Sequence, residues 1–127
     1  MWIDEITDYL ADVGVEGLKP YEIFTQVIPA NMSQAVMLAG GIGMPVDPEL
    51  PGFHKGSFQA VVRHSKSRDA EEIAQLVSDA LETELMVDLD SIRVNYIRPR
   101  HLPLVFPRSD GDFYEAVVNF DLCFVRL

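Results

Sequence analysis

The sequence holds a single cysteine, Cys123, among 127 residues. That excludes an intramolecular disulfide framework and a cysteine-based zinc site. No apolar run approaches the ~18 residues that a membrane-spanning helix requires. The opening Met1-Trp2-Ile3-Asp4-Glu5 lacks the basic and then apolar stretch of a secretory signal. Synthesis in a reducing cytoplasm fits these absences. Basic residues are scarce: ten Lys and Arg stand against twenty Asp and Glu, for a net charge of −10. The shortage is uneven, with Lys19 alone against eight acids over residues 1–54 and nine bases against twelve acids over residues 55–127. General attraction to nucleic acid needs clustered cations and is excluded. An acidic wall past which DNA moves without sticking is compatible with this charge. There is no internal repeat and no low-complexity tract.

A hydrophobic fraction of 48% is ample for one domain over residues 1–127, without staples. Trp2, Ile3, Ile6, Tyr9, Leu10 and Val13 recur at helical spacing, with Asp4, Glu5, Asp8 and Asp12 opposite, and Gly14 and Gly17 follow. This predicts an amphipathic helix over 2–13. Tyr21 to Ile28 and Gln34 to Leu38 read as strands joined by a hairpin through Asn31-Met32-Ser33. Phe58 to Ser65 reads as a strand with Phe58, Ala60, Val62 and His64 on one side. Asp69 and Glu72 have capping-box spacing, and Ala70, Ile73, Ala74, Val77, Ala80, Leu81 and Leu85 form one apolar stripe, predicting a helix over 69–85. Ser91 to Arg98 is a further strand. In Phe113 to Val125 the residues Tyr114, Ala116, Val118, Phe120, Leu122 and Phe124 share one face by strict alternation. The predicted fold is α+β: a single mixed or antiparallel sheet of four to five strands with two helices packed on one face. The unit 58–98 has the order of a βαβ motif or its split form.

Eight glycines and prolines between Gly40 and Gly56 predict a long loop over 39–56. Gly40-Gly41-Ile42-Gly43 lacks the Lys-Ser/Thr of a P-loop, and Pro45 blocks an immediate helix start, so it reads as loop and not as a phosphate site. The loop carries Met44, Leu50 and Phe53, apolar groups suited to docking on a partner surface. Arg98, Arg100 and Arg108 punctuate a proline-rich segment. In an acidic protein their expected partners are carboxylates, of this chain or of a neighbouring copy. These six residues are the interface candidates. His54, His64 and His101 have no metal-ligand spacing. His64 reads as a core or interface histidine, and His54 and His101 as solvated loop residues. No catalytic, cofactor or metal constellation emerges.

The run Gly56-Ser57-Phe58-Gln59-Ala60-Val61-Val62-Arg63, the helix Ala70-Glu71-Glu72-Ile73-Ala74-Gln75-Leu76-Val77-Ser78-Asp79-Ala80-Leu81 and the later Pro99-Arg100-His101-Leu102-Pro103 resemble the small tail terminator proteins of long-tailed bacteriophages. These are also described as minor capsid or head–tail joining proteins. An acidic amphipathic opening helix, matched by Trp2 to Val13, belongs to the same pattern. The resemblance implies a structural virion protein of the tail–neck junction, made in the host cytoplasm and not an enzyme. It implies a ring, usually a hexamer, that caps the tail tube and stops its polymerisation. The ring would join the tube to a head-completion (stopper) protein and leave a lumen through which DNA passes without specific binding. The alternatives are another phage head–tail connector or neck protein, or a small α+β ligand-binding domain or enzyme using His64, His101 and the arginines.

Overall fold

In the computed structural model, which describes residues 2–40, 43–106 and 113–127, two helices cover one face of a curled mixed sheet. The elements are α1 (Trp2–Val13), β1 (Ile23–Thr25), β2 (Ala35–Ala39), β3 (Phe53–His64), α2 (Ser67–Leu81), β4 (Val87–Asp88), β5 (Ile92–Pro99), β6 (Leu104–Phe106) and β7 (Tyr114–Arg126). The sheet order is β1-β2-β3-β7-β5-β4, and β6 lies beside the first half of β7. β1 and β2 are parallel and every other pair is antiparallel. β3 and β5 flank β7 and run parallel to each other, so the unit 58–98 is the split form of βαβ.

The α+β class and the two helices on one face agree with the sequence reading, but among the described residues the sheet has seven strands rather than four to five. The extra ones are β4 and β6, too short to leave a periodic signature; β6 is hemmed in by Pro103 and Pro107. Even-numbered residues of β3 and β7 meet the helices, as alternation predicted. Phe58, Ala60, Val62, Ala116, Val118, Phe120, Leu122 and Phe124 join Ile3, Ile6 and Leu10 of α1 and Ala70, Ile73, Ala74, Val77 and Leu81 of α2 in one core. Trp2 closes one end, stacked on Phe124 and edge-on to Phe58.

Four local readings are corrected. Residues 21–28 are not one strand: Pro20–Glu22 form a single 3-10 turn, pinned by the Lys19 N–H donating to the Glu22 carboxylate at 2.8 Å. The predicted hairpin to β2 is absent, because Gln26 takes a left-handed backbone (φ 69°) and the chain crosses back to run parallel. The helix predicted over 69–85 starts at Ser67, and Lys66 rather than Asp69 precedes it; it stops at Leu81, where the Glu82 N–H closes the last turn on Ser78. Thr83 then bridges to Ile97, and Leu85 is exposed. The loop predicted over 39–56 is shorter, since β2 keeps Ala39 and β3 already begins at Phe53, running through Gly56 to pair with Leu122.

Two long-range polar ties anchor α1: the Thr25 hydroxyl donates to that of Thr7 at 2.8 Å, and Glu5 holds Ser91. The Glu5 carboxylate accepts both the N–H and the hydroxyl of Ser91, just ahead of β5. Burial pushes this carboxyl up, but the hydrogen bonds from Ser91 outweigh that and hold it below the ordinary value of 4.5. A carboxylate lowered in the folded state stabilises above its unfolded value and loses that contribution as pH falls through its folded one. Glu5→Gln is therefore expected to lower the melting temperature at neutral pH and to flatten the decline in stability below pH 4.5. Melting curves of both proteins from neutral to acid pH test this; equal acid sensitivity would count against the Glu5 tie.

Candidate functional site

The sheet face turned away from the helices carries the densest grouping of predicted site residues. β3 and β7 place odd-numbered side chains there, because alternation that buries Phe58 and Phe120 must expose Lys55 and Asp121 to the other side. β5 reaches the same face through a bulge. Val94 pairs with Phe124 and Tyr96 with Cys123, so one extra residue resets the alternation after Val94. Tyr96 and Arg98 therefore project from the open face, while Ile97 turns into the core.

The result is an open groove of about 550 Å³ lined by Lys55, Ser57, Tyr96, Arg98, Arg100 and Asp121. The Arg98 guanidinium lies over the Tyr96 ring, 4.2 Å from its centroid, a cation–π contact that fixes where the charge sits. Arg100 is already engaged, its Nε donating to the Asp121 carboxylate at 2.7 Å. Lys55 and Arg98 form no ion pair among the described residues. Cys123 lies buried on this face with the Asn95 amide 3.5 Å from its sulfur.

The structure brings Arg98 and Arg100 into one groove. Arg108 lies outside the described residues. Met44 and Phe53 sit elsewhere. Met44 is partly buried against the helix-side core, and Gly56 makes room for it: a Cβ on Gly56 would stand 2.7 Å from the Met44 sulfur and 3.0 Å from Pro45 Cδ. Pro45 is held by its carbonyl, 2.8 Å from His54 Nδ1. Phe53 is half-buried in the first pair of β3. Leu50 is exposed, as is Val46 at the same turn. Met44 and the Pro45 carbonyl thus tie the loop to its own domain, while Val46 and Leu50 stand exposed.

The histidine readings also change. His54 is the second residue of β3, with its ring against Phe124, and is half-buried rather than a solvated loop residue. His101 is half-buried too. Its Nε2 accepts the Asn119 N–H at 3.2 Å, which leaves the ring proton on Nδ1 to donate to the Leu102 carbonyl at 2.7 Å. It locks the turn between β5 and β6. His64 shares the helix side with the core, as read, its Nδ1 accepting from the Lys66 N–H. Among the described residues no three His, Cys, Asp or Glu side chains gather as a metal site, and no helix is long and apolar enough to cross a membrane.

Sequence reasoning passed over Lys55, Tyr96, Leu104 and Phe106. Lys55 was hidden inside the presumed loop, and Tyr96 by the bulge. Leu104 and Phe106 of β6 are about half exposed on the open face, opposite Val117 and Glu115. Their two-residue spacing between prolines was the available signal. These two side chains make an apolar margin beside the basic groove.

No curated protein matches the chain. A family model described as bacteriophage tail terminator protein matches residues 7–125, almost the whole of the fold described above.

Proposed function

Because the chain belongs to the bacteriophage tail terminator family, and is thereby a structural protein of a phage tail with its place in the virion, we propose that it forms the ring that caps the tail tube. In this reading the ring, a hexamer, ends tube polymerisation and offers its other face to the head-completion protein. The observation that carries the reading is the match across residues 7–125, which runs from the middle of α1 through α2 and almost to the end of β7 rather than over one local motif. Two features of the molecule support it. A net charge of −10 suits a lumen that lets DNA through without holding it. The open sheet face, with exposed Leu104 and Phe106 beside cations, suits protein contacts on a side that the chain's own helices leave bare.

The loop tip with Val46 and Leu50 is proposed as a contact to tube or stopper, while Met44 and Phe53 hold its base on the domain. Electron micrographs of the purified protein, alone and mixed with the cognate tail tube, test the reading. The expected result is closed rings in solution or at tube ends, and tubes of limited length. Tubes that lengthen unchecked in its presence, with no ring at their ends, would refute it.

A further inference from the structure

The charges of the molecule are sorted by surface. α1 buries Ile3, Ile6 and Leu10, and its opposite side carries Asp4, Asp8 and Asp12, four residues apart and all exposed. At 1.5 Å per residue this is a ridge of carboxylates about 12 Å long. Like charges at this spacing repel and weaken a helix. Asp8 and Asp12 form no ion pair among the described residues, nor does the neighbouring Asp90. Asp8, Asp12 and Asp90 border a hollow of about 410 Å³ in which Asp88 is already taken by Arg93, at 2.6 Å. On the far side of the sheet lies the groove with the unpaired cations of Lys55 and Arg98. Ridge and groove point in opposite directions, because the helices cover only one face of the sheet.

We propose that the groove of one copy receives the α1 ridge of the next, with Lys55 and Arg98 against Asp8 and Asp12. The inference rests on the ring reading and names the contact that would build the ring. A chain cannot satisfy its own groove from the opposite surface, and a two-fold dimer of grooves would set cation against cation. A ridge-to-groove contact is heterologous, and repeated around an axis it closes a ring. Nucleic acid is the less favoured occupant: the groove has two uncompensated cations, with Asp121 among them, in a strongly acidic chain.

Charge reversal tests this. Lys55→Glu with Arg98→Glu makes both surfaces acidic, and Asp8→Lys with Asp12→Lys makes both basic. Self-association is read by sedimentation and native mass spectrometry at low salt, with circular dichroism to verify folding. Each double variant is expected to lose self-association, its midpoint moving at least about tenfold upward in concentration. An equimolar mixture of the two should recover it, as alternating even-membered assemblies. The quadruple variant should recover it within one chain. Neutral Arg98→Gln and Asp8→Asn, with smaller losses, guard against misfolding of the reversed forms. If both double variants associate like wild type, this contact is wrong while the ring reading stands. If they lose association but neither the mixture nor the quadruple variant recovers it, the pairing is wrong. If Lys55→Glu with Arg98→Glu abolishes binding to a DNA duplex and leaves association intact, the groove belongs to nucleic acid. If the wild type neither associates nor forms rings on tubes, the ring reading itself falls, and this contact with it.

Discussion

Phe120→Ala is expected to lower the free energy of unfolding by about 3–5 kcal/mol, measured by denaturant titration. Phe120 is wholly buried at the middle of β7, an interior strand with partners along both edges. Its ring stacks on Phe58 across the β3–β7 ladder, centroids 4.9 Å apart and planes 13° apart. Removing it deletes the largest fully buried side chain and leaves a cavity between helices and sheet that rigid neighbours on two strands cannot close. The stacking partner loses its contact as well. A loss below about 1 kcal/mol would mean that the helix layer repacks freely into the space, contrary to a close-packed core.

Leu81→Ala should cost about 2–5 kcal/mol in the same measurement. Leu81 is fully buried at the last turn of α2, one turn after Val77, and both face the sheet. The turn is closed by the Glu82 N–H on Ser78, and two residues on Thr83 exchanges backbone hydrogen bonds with Ile97. The chain is thus fixed on both sides of the site and cannot collapse into the gap. Helix content at neutral pH should survive, since α2 keeps Ala70, Ile73, Ala74 and Val77 on the core. A small effect would indicate that the C-terminal turn of α2 frays in solution.

What was legible in the sequence follows from periodicity. Both helices, and the inward faces of β3 and β7, could be read because many residues repeat one pattern. The order of elements allowed either βαβ or its split form, and the pairing of both β3 and β5 with β7 decides for the split form. The rest depended on single residues acting against the local pattern. Gln26 ends β1 with a positive φ, although nothing in the composition of Tyr21 to Ile28 marks the break. Gly56 looked like loop punctuation; it is a strand residue that leaves space for Met44 and Pro45. The bulge after Val94 inverts the faces of Tyr96 and Ile97, a shift that regular alternation cannot express. Arg98, Arg100 and Arg108 stand out as a group in the sequence. That Arg100 is satisfied by Asp121 while Arg98 rests on Tyr96 depends on contacts between β5 and β7 that exist only once the sheet has formed.

The position of β7 has a consequence for when the protein can fold. It comes last among the described elements, yet it lies in the interior of the sheet, pairing residues 114–125 with residues 53–64 of β3 and also carrying β5 and β6. Such non-local pairing carries a high contact order and slows folding. Until Tyr114–Arg126 has left the ribosome, β3 and β5 have no strand between them and α2 has only part of its floor. A chain released short of β7 therefore exposes apolar strand edges instead of a finished surface, and is a substrate for proteases. The groove takes Asp121 from β7 and Arg98 from β5 aligned against it. Synthesis of Tyr114–Arg126 is thus the step that completes the groove, and a chain cut before β7 lacks it.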